Sequence, residues 1–305
     1  MSEPVPTHEN TEARNPDLLG SLAVLLATAF WGTSGVFISL ILATQEVSVL
    51  ALVFWRALMT FLVLVIGLGL LRPDWLQVRR SDLVWFGVLG GSISVTQLLW
   101  SVAVLLNGPA VATVQQAAMP AIVAVAAWLI WREPLTGRKI LAILMTIVGT
   151  AFVSGVSVLG QADLGLPGLL AGLGLAVFYA GWNLIVKKVR RGYNPFTTLT
   201  YQFGFGALVL LPFQFFTRHP QALSAPVLLQ FAGLVGVATV GGFSIYTYGV
   251  GRLETSVATI LAMAEIPIVA VYTIVLLGER MTVDQILGAV LVATGVLILS
   301  WRREG

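Results

Sequence analysis

Two ionisable side chains stand inside long apolar blocks: Glu265, two residues before Pro267, and Arg56, in the run Phe54-Trp55-Arg56. At membrane depth each such group costs about 2.5 to 3.5 kcal/mol or more, so its presence points to a use. A carboxylate facing a cavity meets a solute ammonium or takes up a proton, and a guanidinium meets a carboxylate. Both signs of charge suit a solute that carries both, because each needs a partner in a low-dielectric site. The competing readings are structural: Glu265 as a protonated or hydrogen-bonded packing residue, and Arg56 snorkelling toward the outer headgroups.

Pro120 and Pro267 also lie inside apolar blocks, where each removes a backbone hydrogen bond and frees a carbonyl. They make a candidate hinge, with Arg56 as a candidate gating residue; simple packing kinks are the alternative. Aromatic residues at matching depths, Trp31, Trp100, Tyr179 and Tyr246, would line a cavity for an apolar or aromatic solute, with Gln97, Gln116 and Asn183 as polar partners. Aromatic residues also gather at membrane interfaces, and Trp75 and Trp301 read that way. Glycines at four-residue spacing, Gly87 with Gly91 and Gly168 with Gly172, read as close helix contacts.

Catalytic constellations are missing. The two histidines, His8 and His219, fall in the amino-terminal tail and a connection, and there is no HExxH, phosphate loop or intramembrane carboxylate pair. With no cysteine, thiolate metal sites and disulfides are excluded. No metal, cofactor or ATP-binding motif is expected, so neither enzymatic chemistry nor direct ATP drive fits.

The elements that must position these residues follow from composition. Hydrophobic types make up 57% and charged types 10%, with a mean hydropathy of +0.92; a soluble domain carries about 25% charge. The apolar residues fall in helix-length blocks, at about 18 to 42, 48 to 70, 82 to 105, 110 to 131, 138 to 158, 167 to 187, 196 to 216, 226 to 250, 255 to 278 and 283 to 301. Breaks fall at Gly108-Pro109, Glu133-Pro134, Asn194-Pro195 and similar steps. Ten spans place both termini on one side, and 14 of the 17 basic residues then share it, with Arg218 and Arg280 opposite and Arg56 in a span. That side is expected to be cytoplasmic, with residues 1–17 a disordered tail. The pI near 9.4 is thus a matter of topology, and no nucleic-acid partner is implied.

Shifting the chain against itself by 146 residues gives 14 identities in the 44 positions from 111, among them Val111-Ala112-Thr113 with Val257-Ala258-Thr259 and Glu133 with Glu279. The same shift pairs Trp100 with Tyr246, and a shift of 148 pairs Trp31 with Tyr179. Five spans per half is an odd number, so the second half enters the bilayer from the opposite side. The expected fold is an all-α membrane protein of ten transmembrane helices, two inverted five-helix repeats (18–158 and 167–301) around a central cavity. Such halves can exchange conformations of similar energy, the basis of alternating access. A channel is disfavoured because no span carries a continuous polar face.

With these residues in view, the chain from 18 to 301 resembles the EamA-type branch of the drug/metabolite transporter superfamily. The resemblance rests on Ala29-Phe30-Trp31-Gly32, Phe54-Trp55-Arg56, Gly108-Pro109-Ala110 to Pro120 before Arg132-Glu133-Pro134-Leu135-Thr136, and Glu254-Thr255-Ser256 to Pro267 before Gly278-Glu279-Arg280-Met281-Thr282. Within that branch the chain is most similar to bacterial aromatic amino-acid exporters. The resemblance implies efflux of Phe, Tyr, Trp or other small organic solutes across the inner membrane by a monomeric unit; carriers of cationic drugs, sugars or nucleosides are the alternative. Proton exchange and facilitated export both fit one acidic candidate.

Overall fold

A backbone crossing hydrocarbon must satisfy its own N–H and C=O groups, and an uninterrupted helix does so within one segment. The computed structural model describes residues 17–44, 47–153, 166–217, 224–277 and 282–300, and all regular structure among them is helical. The expected tail (but for Asp17), His8, His219 and Trp301 lie outside the described residues. Helices α1 (Leu18–Ala43), α2 (Val49–Leu71), α3 (Leu83–Gln116), α4 (Met119–Trp131) and α5 (Gly137–Val153) make the first half. The second comprises α6 (Leu166–Arg190), α7 (Pro195–Gln214), α8 (Ala225–Gly233), a π-helical stretch (Leu234–Gly241), α9 (Gly242–Arg252), α10 (Thr255–Ala262), α11 (Glu265–Leu277) and α12 (Val283–Ser300). Among the described residues, six helical runs are long and apolar enough to cross a membrane, and shorter apolar helices cover Met119–Trp131, Thr255–Ile268 and Val283–Leu299. Leu70, Leu71, Leu129 and Val275 are exposed on the outer surfaces, as lipid contact requires.

Buried threonines cause no orphaned hydroxyls here, because Thr60, Thr96, Thr146 and Thr150 each donate to the carbonyl four residues back at 2.6 to 2.7 Å.

One expected boundary moved. The helical assignment of α3 runs through Gly108-Pro109, where a break between spans was expected, and ends instead at Ala117 and Ala118 ahead of Pro120. A straight helix would put Leu99 and Gln115 about 24 Å apart. Yet Leu99 lies against Gly174 and Gln115 against Gly172, neighbouring positions on α6. The path between them therefore reverses. Its early part runs against α6, from Phe86 beside Tyr193 to Leu99 beside Gly174, whereas α4 runs with α6, from Met119 at Asn183 to Trp131 under Arg191.

Small residues set the helix contacts, because apolar side chains gain nothing over lipid unless backbones approach closely. On α3 the working glycine is Gly90, whose missing Cβ would sit 2.6 Å from the Gln202 carbonyl; Gly91 has open space and Gly87 only the Phe205 ring. The expected Gly87–Gly91 contact is therefore corrected to Gly90, which alone faces α7. Gly149 of α5 meets Gly288 and Val292 of α12, while Gly295 meets Ala142, Met145 and Thr146. The 146-residue shift carries Gly149 onto Gly295, Ala142 onto Gly288 and Thr146 onto Val292, so the α5–α12 seam is one contact made twice. Likewise α3 packs on α6 as α8 to α9 pack on α1, and α2 packs on α7.

Gly149→Ala would place a methyl 2.7 Å from the Gly288 carbonyl oxygen and 2.9 Å from the Val292 nitrogen. A loss of about 1 to 3 kcal/mol is expected, read as a lower unfolding temperature in detergent. Gly91→Ala, with nothing within 4 Å, should leave it unchanged or raised.

At the arginine-rich end, Tyr193 clamps two connections: its hydroxyl donates to Asp82 Oδ2 at 2.5 Å and accepts from the Arg79 N–H at 3.2 Å. Burial first, and then the bond to Asp82, raise this phenol above its ordinary pKa.

Candidate functional site

The helix breaks fall at equivalent places. Ala117 and Ala118 separate α3 from α4, Met263 and Ala264 separate α10 from α11, and the two steps are 146 residues apart. Each precedes one of the expected prolines, Pro120 in the first turn of α4 and Pro267 in that of α11. The second break makes Glu265 the first residue of α11, where unpaired N–H groups and the helix dipole favour a carboxylate.

Between these breaks lies a chamber of about 240 Å³. Trp31, Ser34 and Ile38 line it from α1, Arg56 from α2, and Ile93, Thr96, Gln97 and Trp100 from α3. Gln116, Tyr179, Phe243 and Glu265 complete the wall. Of the expected cavity residues it therefore gathers Trp31, Gln97, Trp100, Gln116, Tyr179 and Glu265, and it adds Arg56, expected only as a gating residue. A larger groove of about 490 Å³ between α2 and α7, with Phe54, Phe61, Leu208 and Leu211, has no ionisable lining.

Tyr246 and Asn183 lie elsewhere, in a layer closing one end of the chamber. Both are fully buried, and the Tyr246 hydroxyl donates to Asn183 Oδ1 while Asn183 Nδ2 donates to the Tyr179 carbonyl at 2.9 Å. Tyr246 stacks on Trp182 at 5.7 Å and meets Trp31 at 4.6 Å between ring centroids, and Phe243 joins Trp31 at 5.0 Å. The Trp182 indole N–H is satisfied by Gln202 Oε1 at 2.9 Å. These rings pack as a floor and expose no face to the chamber.

Arg56 is buried and does not snorkel: its Nε donates to Thr239 Oγ1 at 2.8 Å, and its guanidinium lies 5.9 Å from the Phe243 ring centre. The π-helical stretch makes this possible, because Thr239 satisfies itself on the Leu234 carbonyl five residues back, at 2.7 Å, and still accepts from the arginine. Glycines around that stretch leave notches for α1, with Phe37 against Gly233, Phe30 against Gly241 and Trp31 against Gly242. Glu265 and Arg56 interact through space without an ion pair, and Glu265 accepts no hydrogen bond among the described residues. A cation and an anion unpaired with each other thus face one aromatic cavity.

Beneath the floor, at the end rich in arginine and lysine, a second polar layer seals the helices. Arg132 closes α4 in the left-handed region at φ 58°, and the turn aims Glu133 at the start of α10. Its carboxylate accepts from the N–H groups of Thr255 at 3.0 Å and Ser256 at 3.3 Å, and from the Ser256 hydroxyl at 2.8 Å. Lys139 donates to the Pro134 carbonyl at 2.9 Å and pairs with Glu254. Lys187 reaches the carbonyls of Val250 and Leu253. Sequence reasoning passed over this set, although Glu133 three residues before Thr136 in a charged connection was visible.

A sequence profile described as EamA-like transporter family matches residues 18–155 and again 166–301. An uncharacterized inner membrane transporter of Salmonella typhimurium, YicL, is 29% identical over 291 residues, covering 92% of this chain and 95% of that one. A protein of the same organism named "Probable amino-acid metabolite efflux pump" is 27% identical over 181 residues, 55% of this chain and 60% of that one. A solved crystal structure superposes with a TM-score of 0.75 over 92% of this chain at 18% identity, a likeness of fold.

Proposed function

The chain belongs to the EamA-like transporter family, a multi-pass membrane protein, and from that premise we propose that it exports amino acids, aromatic ones foremost, by alternating access. The observation that carries the reading is the pairing of Arg56 with Glu265 across one aromatic chamber. A zwitterion places its carboxylate on the guanidinium and its ammonium on Glu265, while Trp31, Trp100 and Tyr179 receive a ring. The volume of about 240 Å³ lies below the range of about 300 to 1,000 Å³ usual for drug-sized ligands, which favours a small solute. The amino-acid efflux pump among the relatives supports the same class.

In this reading the protein has ten spans in two inverted repeats, 18–158 and 167–301, and functions as a monomer in the bacterial inner membrane. The arginine-rich end and both termini face the cytoplasm. The reversed path within 99–115, the equivalent helix breaks and the twice-made α5–α12 contact support the inverted halves. Pro120 and Pro267 act as hinges, because each half-helix beyond the break tilts with less backbone bonding to lose.

Counterflow in proteoliposomes loaded with unlabelled solute tests this, using labelled Phe, Trp, Thr, Ala and a quaternary cation. Saturable exchange is expected, with Phe and Trp preferred to Ala by about two- to tenfold, since a ring contact contributes about 0.5 to 1.5 kcal/mol. Exchange of the cation alone would replace the reading with a cationic-drug carrier, and uptake that never saturates would remove the carrier.

A further inference from the structure

The 146-residue shift that equates the two halves also says what should seal each end, and the two ends differ. At the arginine-rich end the floor is closed by Trp31 against Tyr246 at 4.6 Å. Their counterparts, Tyr179 and Trp100, make no ring contact with each other among the described residues, and both line the open chamber. Chemistry at the two ends diverges in the same sense. Glu133 is matched by Glu279, but its partners are not: Thr255 and Ser256 correspond to Pro109 and Ala110, which supply one fewer N–H and no hydroxyl. Lys139 corresponds to Gln285 and Glu254 to Gly108, so the ion pair has no equivalent either.

We propose that Glu133, Ser256, Lys139 and Glu254 form a one-sided latch that holds the arginine-rich mouth shut and sets the resting orientation of the carrier, leaving the chamber open to the opposite side. A carboxylate capping two N–H groups and a hydroxyl at a helix start is a charge-assisted arrangement, stronger than neutral bonds. Both Glu133 and Lys139 are less than a tenth exposed, so opening that mouth must break the cap and the pair together and rehydrate both charges. The far mouth closes with neither. Two half-chains of similar packing thereby acquire unequal end states, and only a differential contact of this kind can bias such an equilibrium. The assignment of sides rests on the proposed function; the latch itself does not depend on which solute is carried.

The lack of native cysteine allows a direct test in proteoliposomes. Val257→Cys, just behind the latch, and Ile38→Cys, in the chamber wall, are each exposed to a membrane-impermeant maleimide from either side. In Glu133→Ala, labelling at Val257→Cys from the arginine-rich side is expected to rise about tenfold and labelling at Ile38→Cys from the other side to fall, a shift of order RT ln 10 in the two-state balance. Lys139→Glu should act alike, and Lys139→Glu with Glu254→Lys should restore the parental rates. Gly108→Glu with Gln285→Lys, which builds the missing pair at the far mouth, should shift both reporters in the same sense as Glu133→Ala, and it keeps the test open if Glu133→Ala fails to fold. Unchanged labelling in folded Glu133→Ala, or in the far-mouth double variant, overturns the latch. A failure of amino-acid counterflow with these labelling shifts intact would count against the substrate alone.

Discussion

Glu265→Gln is expected to lower saturable exchange of Phe by about ten- to a hundredfold in proteoliposomes while leaving the protein folded. Gln preserves the shape and keeps an acceptor, so what disappears is the charge. An amino acid entering the chamber would then bring an ammonium out of water with no anion to meet it, and a hydrogen bond involving a charged group contributes about 1.5 to 3 kcal/mol. Folding should be little affected, because the carboxylate has no protein hydrogen bond to lose and stands free at the start of α11. The variant's thermal unfolding separates the two effects. Unchanged exchange in Glu265→Gln would remove this residue from solute binding.

Arg56→Met is expected to act on the other end of the solute. Met fills much of the aliphatic stem's space and removes the guanidinium, which should cut exchange of Phe by about ten- to a hundredfold by the same reckoning. The decisive comparison is with the decarboxylated amine, phenethylamine, which never needed the arginine. Its exchange should change little, so the parental preference for Phe over the amine should collapse. If both solutes lose rate equally, Arg56 supports the fold through Thr239 Oγ1 and does not read the carboxylate. Burial of an arginine beside a π-helical turn makes that outcome a real alternative, and the ratio of the two rates distinguishes it.

Much of the architecture was legible because hydrophobic length is a one-dimensional signal. The helices α1, α2, α6 and α7 begin within a residue of their expected positions, and Glu265 and Arg56 stood out because charge is rare in such blocks. What lay out of reach was azimuth. A helix that is apolar all round gives no periodicity to say which side faces a neighbour, so Gly87 and Gly91 could not be told from Gly90, whose backbone contact with Gln202 emerges only in three dimensions. For the same reason Tyr246 and Asn183 read as cavity lining although they bond to each other in the floor. Arg56 was placed by its distance along the helix, which cannot reveal that Thr239, far away in sequence, waits beside it. The missed Glu133 cap has a different cause: its partners are backbone N–H groups, which leave no trace in side-chain types.

Between Leu234 and Gly241 the chain is wound more loosely than in the corresponding residues 88–95 of α3, which are ordinary α-helix. The two stretches match in residue count but not in pitch. Beyond the loose turns, each residue is therefore rotated about the helix axis relative to its counterpart. Tyr246 and Trp100, which the alignment sets side by side, consequently look in different directions, one into packed rings and one into open space. A duplicated ancestor can thus diverge in handed detail without gaining or losing a single amino acid.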